Sequence, residues 1–600
     1  MEDPPMTPLS DLVQQWLEWD QDPETLEEIR RLQKENDEDE LEKRLRKRIE
    51  FGTAGLRGRM QAGFSFMNGL TVIQASQGLA KFIKQSHQGP EPATIVIGRD
   101  ARYNSKKFAA LAANAFEAEG IHVLWYQSVS PTPLVPFGVL VKGASAGVMV
   151  TASHNPAKDN GYKVYFSNGA QINSPVDSQI AELIKENLKP WPSAWKTVDQ
   201  NQFLGLDSHE EITGAYCNAV TQFVNSTKTV SDLPRPFVYT PLHGVGFSTM
   251  SRLCQGLRIK DMITVAEQQD PDPDFPTVKF PNPEESGALD LAMKTADSVS
   301  RDLIIANDPD ADRLAVAEKV DGIWIKLTGD QVGVLLASYM LDTMKAQGKM
   351  GKKTAMLSTA VSTSMLSKMG EIEGFYFQET LTGFKWLGNV AKKLESEGYD
   401  VPFAFEEALG YMFPKVCYDK DGLTAAMVFL AAEAKWRTQG LSPYAKLQQL
   451  YQTYGYHENL NTYFVSPDTQ TTKSLFEAIR NRSDEQRKVV GSLPITRWRD
   501  MTVGFDSGTT DNIPHLPIDS SSQMLTVWSE RGIRFTLRGS GTEPKVKIYI
   551  ESCCGSHEEA VKAVCDAFLA VLEDWIRPYA PNMTYASRLP TSSGHILSVD

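Results

Sequence analysis

Cysteine is sparse in this chain, with six residues in 600. Cys217, Cys254, Cys417, Cys553, Cys554 and Cys565 include no Cys-x-x-Cys pair, so a disulfide-held mini-scaffold is excluded. They read as ordinary thiols of a reducing compartment, and a cytoplasmic location is the expectation. Long apolar runs are also missing. No stretch reaches the roughly 18 residues that a membrane-spanning helix needs, and no membrane role is expected. Met1–Ser10 is polar and lacks the basic and apolar regions of a secretory signal. Positive charge is in deficit, with 61 Lys and Arg against 75 Asp and Glu and a net charge of −14. That balance argues against a broad basic face for nucleic acid. An anionic ligand must therefore be held by local clusters of Arg, Lys and backbone N–H groups. The composition, 41% hydrophobic and 23% charged, is that of a globular protein, not of a disordered or collagen-like one. Its length is too great for one core and implies roughly three to five domains.

Residues 1–50 read as a helical extension. Leu12, Val13, Trp16 and Leu17 recur at helical spacing, and Glu24–Glu50 predicts a mixed-charge helix packed on the body. From residue 93 strand and helix alternate. Strands are expected at Ala93–Gly98, Ile121–Tyr126 and Ala146–Thr151, with a helix over Ser105–Glu119. The pattern restarts at Phe237–Thr240, with a helix from about Phe247 and a strand at Leu303–Ala306. It restarts again at Thr354–Ser358, with a helix from Ser362 and a strand at Pro402–Phe405. Three similar α/β units with mixed, mostly parallel sheets follow. The last part differs. Strands at Met501–Phe505, Met524–Ser529, Ile533–Leu537 and Val546–Glu551 precede a helix over Glu558–Ile576, an α+β domain, with Pro590–Asp600 as a loose tail. The divisions expected are 1–50, 51–205, 206–325, 326–455 and 456–600.

In open α/β sheets ligands bind beyond the carboxyl ends of strands, so the loops there carry the chemistry. After Leu303–Ala306 the chain reads Asn307-Asp308-Pro309-Asp310-Ala311-Asp312-Arg313. Three alternating aspartates aimed to one side repel, and burying them requires a cation; Mg²⁺ suits an all-oxygen set. The segment is also compatible with a solvent-exposed acidic turn. It is not an EF-hand, because Arg313 and Lys319 stand where Gly and Glu are required. After Ala146–Val150 come Thr151-Ala152-Ser153-His154-Asn155-Pro156 and Asp159-Asn160-Gly161-Tyr162-Lys163. The Ser beside a His points to nucleophilic work, whereas Asn-Pro and Asn-Gly alone make a turn. Neighbouring residues do not face each other as a hydrolase pair must, and no Gly-x-Ser-x-Gly elbow surrounds them. Arg538-Gly539-Ser540-Gly541-Thr542-Glu543-Pro544 has the composition of a phosphate cradle without a Walker lysine, and also that of a hairpin turn. Phe51–Gly58, Gly98–Arg102 and Thr380–Trp386 are further Gly-rich or basic loops, each weak alone.

Taken in order, Phe51–Gly58 (FGTAGLRG), Thr151–Lys163 (TASHNP…NGYK), Asp308–Arg313 (DPDADR), Phe405–Tyr411 (FEEALGY) and Arg538–Pro544 (RGSGTEP) resemble the α-D-phosphohexomutase superfamily from about residue 50 to about 575. The resemblance implies four domains around a central cleft. It implies that Ser153 is phosphorylated in the active enzyme and that Asp308, Asp310 and Asp312 bind Mg²⁺ together with the phosphoserine oxygen, with Arg313 beside them. His154, Lys163 and Lys385 are implied to handle protons or contact the phosphate. Thr53 and Arg57 match the entrance motif, Glu406 the sugar-hydroxyl acceptor, and Arg538, Ser540, Gly541 and Thr542 the grip on the non-reacting phosphate. A sugar bisphosphate is implied as activator, phosphosugars as substrates, and a monomer or dimer as the assembly.

One loop departs from the hexose mutases. Where they usually read Gly-Glu-x-Ser, this chain has Phe405-Glu406-Glu407-Ala408. Ala408 withdraws a hydroxyl from the substrate, and Phe405 is expected to add bulk near the sugar. With Thr380–Trp386 and His243–Gly246 (HGVG), this variant is similar to the branch of phosphopentomutases and glucose-1,6-bisphosphate synthases. Interconversion of ribose or deoxyribose 1-phosphate and 5-phosphate is expected, with some glucose 1-phosphate/6-phosphate activity. The alternatives are a bisphosphate synthase fed by 1,3-bisphosphoglycerate, and a non-catalytic member. Intact Ser153, aspartate and cradle motifs argue against the latter.

Overall fold

The computed structural model describes residues 7–52, 54–196, 207–228, 234–351, 353–520, 522–540 and 544–599. The chain forms two compact units, Met1–Met350 with Gly383–Gly440, and Gly351–Thr382 with Leu441–Asp600.

In the first unit the extension folds as helices Leu9–Trp19, Pro23–Glu35 and Glu38–Leu45. The single helix expected over Glu24–Glu50 is thus two. Asn36 takes a left-handed φ of 52° and Asp37 caps the next helix by accepting from Glu40 N–H. Trp16 has no solvent exposure and meets Phe64 edge-on at 5.2 Å, which seats the extension on the first α/β domain.

Two five-stranded sheets follow; four strands of each are ordered and directed alike, while the outermost edge strand comes first in sequence in one sheet and last in the other. The first runs Gly55–Arg59, Asp159–Phe166, Ala146–Val150, Thr94–Arg99, His122–Trp125. The second runs Ile323–Leu327, Ala315–Val320, Leu303–Ala306, Phe237–Thr240, Met262–Thr264. In each, three strands are parallel and two antiparallel strands are added at one edge. The sheets are therefore mixed, with a parallel half. The central strands Ala146–Val150 and Leu303–Ala306 are buried throughout, as strands covered on both faces must be. Helices Gly69–Ser86 and Gly329–Ala346 begin with capping boxes at Asn68 and Thr328. The hairpin Asp400–Glu406/Gly410–Met412 and helices Phe384–Ser396 and Gly422–Thr438 also belong to this unit.

The second unit holds the parallel pair Thr354–Thr359/Tyr376–Thr380 and a seven-stranded antiparallel sheet. The sheet includes Tyr456–Val465, Leu493–Asp500, Met524–Ser529, Ile533–Gly539 and Lys545–Cys554, covered by helix His557–Val571. The strand expected at Met501–Phe505 lies earlier, at Leu493–Asp500, and residues 501–504 form the turn after it. The expected loose tail is packed. Arg588–Pro590 pairs with Ile596–Ser598, and Leu589 and Val599 are buried in the core of this domain. No described helix is long and apolar enough to cross a membrane.

Candidate active site

The two central strands end in the two loops that the sequence singles out. Ser153 follows Ala146–Val150 in a turn where its own φ is 54°, and Thr151 Oγ1 accepts its N–H at 2.9 Å. Asp308, Asp310 and Asp312 follow Leu303–Ala306 with no solvent exposure. Their ligand oxygens lie within 4.8 Å of one another. Ser153 Oγ donates to Asp308 Oδ2 at 2.8 Å and lies 3.2 Å from His154 Nδ1.

The aspartate loop is held from several sides. Thr132 N–H donates to the Asp310 carbonyl at 2.8 Å and its hydroxyl to Asp310 Oδ2 at 2.6 Å. Arg313 N–H donates to Asp308 Oδ1 at 3.0 Å. Val245 N–H donates to the Pro309 carbonyl at 2.8 Å, and a Cβ on Gly244 would come within 2.3 Å of that residue's backbone. Residues His243–Gly246 thus support the aspartate loop, and glycine at 244 permits the approach.

Charge in this cluster is arranged tightly. Lys163 Nζ stands 2.7 Å from both Asp310 Oδ2 and Asp312 Oδ2. Burial opposes its charge, but the two carboxylates outweigh burial and hold the ammonium above the usual lysine value. Burial, with Asp310 and Asp312 close by, pushes Asp308 well above the usual carboxylate range. For Asp310 burial acts the same way, and Lys163 more than reverses it. Asp310 Oδ1 and Asp312 Oδ1 are buried without a hydrogen-bond partner. Three adjacent buried carboxylates with two unpartnered oxygens fit a hard divalent cation.

Around this cluster the structure gathers several of the expected residues. Strand Gly55–Arg59 pairs with Asp159–Phe166, setting Arg57 opposite Gly161 and Gly55 opposite Lys163. The Asp159–Lys163 segment is therefore strand, not the turn that Asn-Gly implies. Arg57 donates to Asn155 Oδ1 at 3.3 Å. Burial, together with the guanidinium groups of Arg313 and Arg57, holds the His154 imidazole well below the usual histidine value, so it is neutral. Glu406 ends strand Asp400–Glu406, and burial raises its carboxyl to about 7 against the opposing pull of Lys420.

Other expected residues stand elsewhere. Lys385 faces Asp177 at 3.6 Å. Lys420 is 3.3 Å from Asp312 Oδ2 and lies over the Phe384 ring at 5.3 Å. Sequence reasoning missed Lys420; its only signal is a lysine between two aspartates just before the helix that Asp421 caps. The Phe405 ring, expected to add bulk near the sugar, is instead buried in the core. Residues 403 and 405 share one face of their strand, the Phe405 ring stacks on Phe403 at 5.9 Å, and it fills the space left by Gly333, where a Cβ would meet the ring at 2.4 Å. Arg538 and Ser540 lie at the end of strand Ile533–Gly539 in the second unit, both half-buried. Thr53, Gly541 and Thr542 lie outside the described residues.

A buried nucleophile candidate hydrogen-bonded to a three-carboxylate cluster, with cations on its rim, is equipped for phosphoryl chemistry. Sequence models of phosphoglucomutase/phosphomannomutase α/β/α domains I, II and III match residues 48–190, 214–322 and 328–454. The chain belongs to the phosphoglucomutase/phosphomannomutase family. It is 44% identical to the phosphoribomutase of Saccharomyces cerevisiae, over 96% of this chain and 97% of that one. It is 42% identical to the human phosphopentomutase (95% and 96%) and 38% identical to the human glucose 1,6-bisphosphate synthase (96% of each). Among solved structures it resembles parafusin, a phosphoglucomutase from Paramecium, with a TM-score of 0.65 at 18% identity over 89% of this chain and 96% of that one. At that identity the likeness concerns the fold alone.

Proposed function

We propose that this family member is a phosphosugar mutase that interconverts ribose or deoxyribose 1-phosphate and 5-phosphate, with some activity on glucose 1-phosphate and 6-phosphate. The observation that carries the reading is Ser153 Oγ held 2.8 Å from Asp308 inside the buried carboxylate cluster. The identity to proteins named phosphoribomutase and phosphopentomutase supports the choice of sugar.

Ser153 carries the phosphoryl group as a phosphoserine and gives it to a hydroxyl of the bound sugar monophosphate; its Oγ then accepts the other phosphoryl group of the bisphosphate so formed. Asp308, Asp310, Asp312 and the phosphoserine would hold Mg²⁺, which would supply charge neutralisation when bound. Arg57 and Arg313 bring further positive charge to the same place. Neutral His154 lies within hydrogen-bond reach of Ser153 Oγ, the geometry that proton handling there requires. Lys163 is fixed as a cation by two carboxylates, so it orients charge and does not act as a base. Lys420 approaches from the rim, between Asp312 and Glu406. Glu406 accepts sugar hydroxyls, and Ala408 withholds the hydroxyl that hexose mutases place two residues on. Lys385 is assigned to proton handling or to the phosphate in transfer, Thr53 to substrate, and Arg538, Ser540, Gly541 and Thr542 to the non-reacting phosphate. A sugar bisphosphate is the activator that first charges Ser153.

The alternative is synthesis of glucose 1,6-bisphosphate, which the 38% identity to the human synthase supports. The test is a coupled assay with Mg²⁺ and a trace of sugar bisphosphate. Ribose 1-phosphate and glucose 1-phosphate are compared by kcat/KM, with Ser153→Ala as control. Higher efficiency on ribose 1-phosphate supports the mutase. Poor turnover of both, with bisphosphate released only when 1,3-bisphosphoglycerate is added, establishes the synthase instead.

A further inference from the structure

Arg102 follows strand Thr94–Arg99 and is 4% exposed. A guanidinium is buried at heavy expense unless its N–H groups are filled and its charge is balanced. Here the Ser153 loop and the first residue of the strand after it fill Nη1 and Nη2, while Nε has no hydrogen bond. Nη2 donates to the carbonyls of Ser153 at 2.5 Å and Asn155 at 2.6 Å, and Nη1 to those of Pro156 at 2.8 Å and Asp159 at 3.3 Å. Asp100 balances the charge 3.2 Å from Nε, and Ser105 Oγ anchors Asp100 at 2.6 Å. The Phe275 ring, from the domain that carries the aspartates, lies 4.9 Å from the guanidinium. Beside it, the Tyr103 hydroxyl donates to Asp274 at 2.8 Å.

Three of the four acceptors belong to the loop that carries Ser153 and the fourth, Asp159, opens the strand after it; Ser153 holds a left-handed backbone that a serine keeps only where its surroundings impose it. We propose that Arg102 is a positioning residue: it gathers the carbonyls of the 153–159 loop, and with the Phe275 ring on its face it sets Ser153 Oγ in register with Asp308. This deepens the mutase reading and rests on it. A displacement of about 1 Å at a reacting atom can lower a rate by about 100-fold, so a clamp on the nucleophile's own carbonyl governs kcat more than substrate affinity. Phe275 couples the clamp to the second domain, so the serine loop and the aspartate loop are aligned from behind as well as through their own hydrogen bond.

The test is Arg102→Lys, which keeps the charge beside Asp100 but cannot span four carbonyls. Phe275→Leu, which keeps the apolar fill, is the second variant. Amide hydrogen exchange of residues 152–159 is measured together with kcat, KM for ribose 1-phosphate, and Tm. In Arg102→Lys, exchange in that loop should rise about tenfold and kcat should fall about 30- to 100-fold, with KM within about twofold. Phe275→Leu should show the same pattern at smaller size, with exchange up about threefold and kcat down about fivefold, and it decides the matter if Arg102→Lys does not fold. Unchanged loop exchange overturns the proposal. So does a loosened loop with unchanged kcat, or a fall in Tm with no change in kcat per folded molecule. A wild-type protein that does not turn over ribose 1-phosphate overturns the mutase reading, while the exchange measurement still decides whether Arg102 holds the loop.

Discussion

Ser153 and Asp308 are 155 positions apart in sequence, yet the serine Oγ donates to the aspartate Oδ2 at 2.8 Å. The contact joins the loops that follow corresponding central strands of two sheets whose inner four strands are ordered alike. Each sheet alone supplies half of a site. The first gives a nucleophile candidate and the second a carboxylate cluster that burial would not tolerate without a counter-cation. Juxtaposing the halves sets a hydroxyl against the carboxylate cluster, the arrangement on which the proposed phosphoryl transfer rests, and four predictions follow from its geometry and that of the C-terminal sheet.

Mg²⁺ should stabilise the protein. A cation that binds only the folded carboxylate cluster adds about 2.7 kcal/mol at a concentration 100 times its Kd. Differential scanning fluorimetry should show a saturable rise in Tm of a few degrees with Mg²⁺, and none for Asp310→Asn. EDTA should abolish turnover, and excess Mg²⁺ should restore it.

Glu406 should make activity and stability respond to pH in opposite directions. Its buried carboxyl is raised to about 7, whereas in the unfolded chain it titrates near 4.5. Between those values the folded state binds the extra proton. Its contribution to stability is therefore full below about 4.5 and is lost as pH rises through 7. If Glu406 accepts sugar hydroxyls as proposed, the ionised form, with both oxygens free to accept, serves best, so kcat/KM should climb over the same range. Glu406→Gln should flatten both curves. A kcat/KM profile with an unchanged limb near pH 7 in that variant would assign the limb to another group.

Lys420 should matter to the chemical step more than to binding. Its ammonium lies 3.3 Å from Asp312 and is held charged against burial by Asp312 and Asp419. Lys420→Met should lower kcat by about 10²–10³-fold, in the range of a lost proton-transfer or charge-stabilising group. Steady-state kinetics on ribose 1-phosphate checks this. A rise in KM with unchanged kcat would contradict it.

In the second unit, Glu551 accepts from Ser364 N–H at 2.9 and 3.0 Å, from the Thr363 hydroxyl, and from Arg534 at 3.1 Å. It thereby satisfies the start of helix Met365–Glu373 and balances a half-buried guanidinium. Glu551→Ala should cost about 3–5 kcal/mol in urea unfolding, because it leaves Arg534 uncompensated. Glu551→Gln should cost less.

The chemistry-bearing loops were legible because each follows a short apolar strand, where an α/β sheet exposes its ligands. Asp308–Arg313 and Ser153–His154 announce themselves by composition. The antiparallel strands were harder. Asp159–Phe166 opens with Asn-Gly, a turn signal that its pairing on both sides overrides. Tyr456–Val465 carries Glu458, Asn459 and Asn461, so its polarity hid a ten-residue strand. The break at Asn36 rests on one left-handed residue among strong helix formers. Lys420 was invisible because its partners, Asp312 and Glu406, are distant in sequence. Phe405 was misjudged because strand alternation, not its place in the motif, decides which way the ring points.

The most direct measurement is peptide-resolved mass spectrometry of the protein after incubation with glucose 1,6-bisphosphate and Mg²⁺, followed by a chase with ribose 1-phosphate. The account predicts a phosphoryl group on Ser153 that passes to the ribose phosphate during the chase, at a rate matching turnover. Turnover of ribose 1-phosphate with Ser153 unmodified throughout would contradict it.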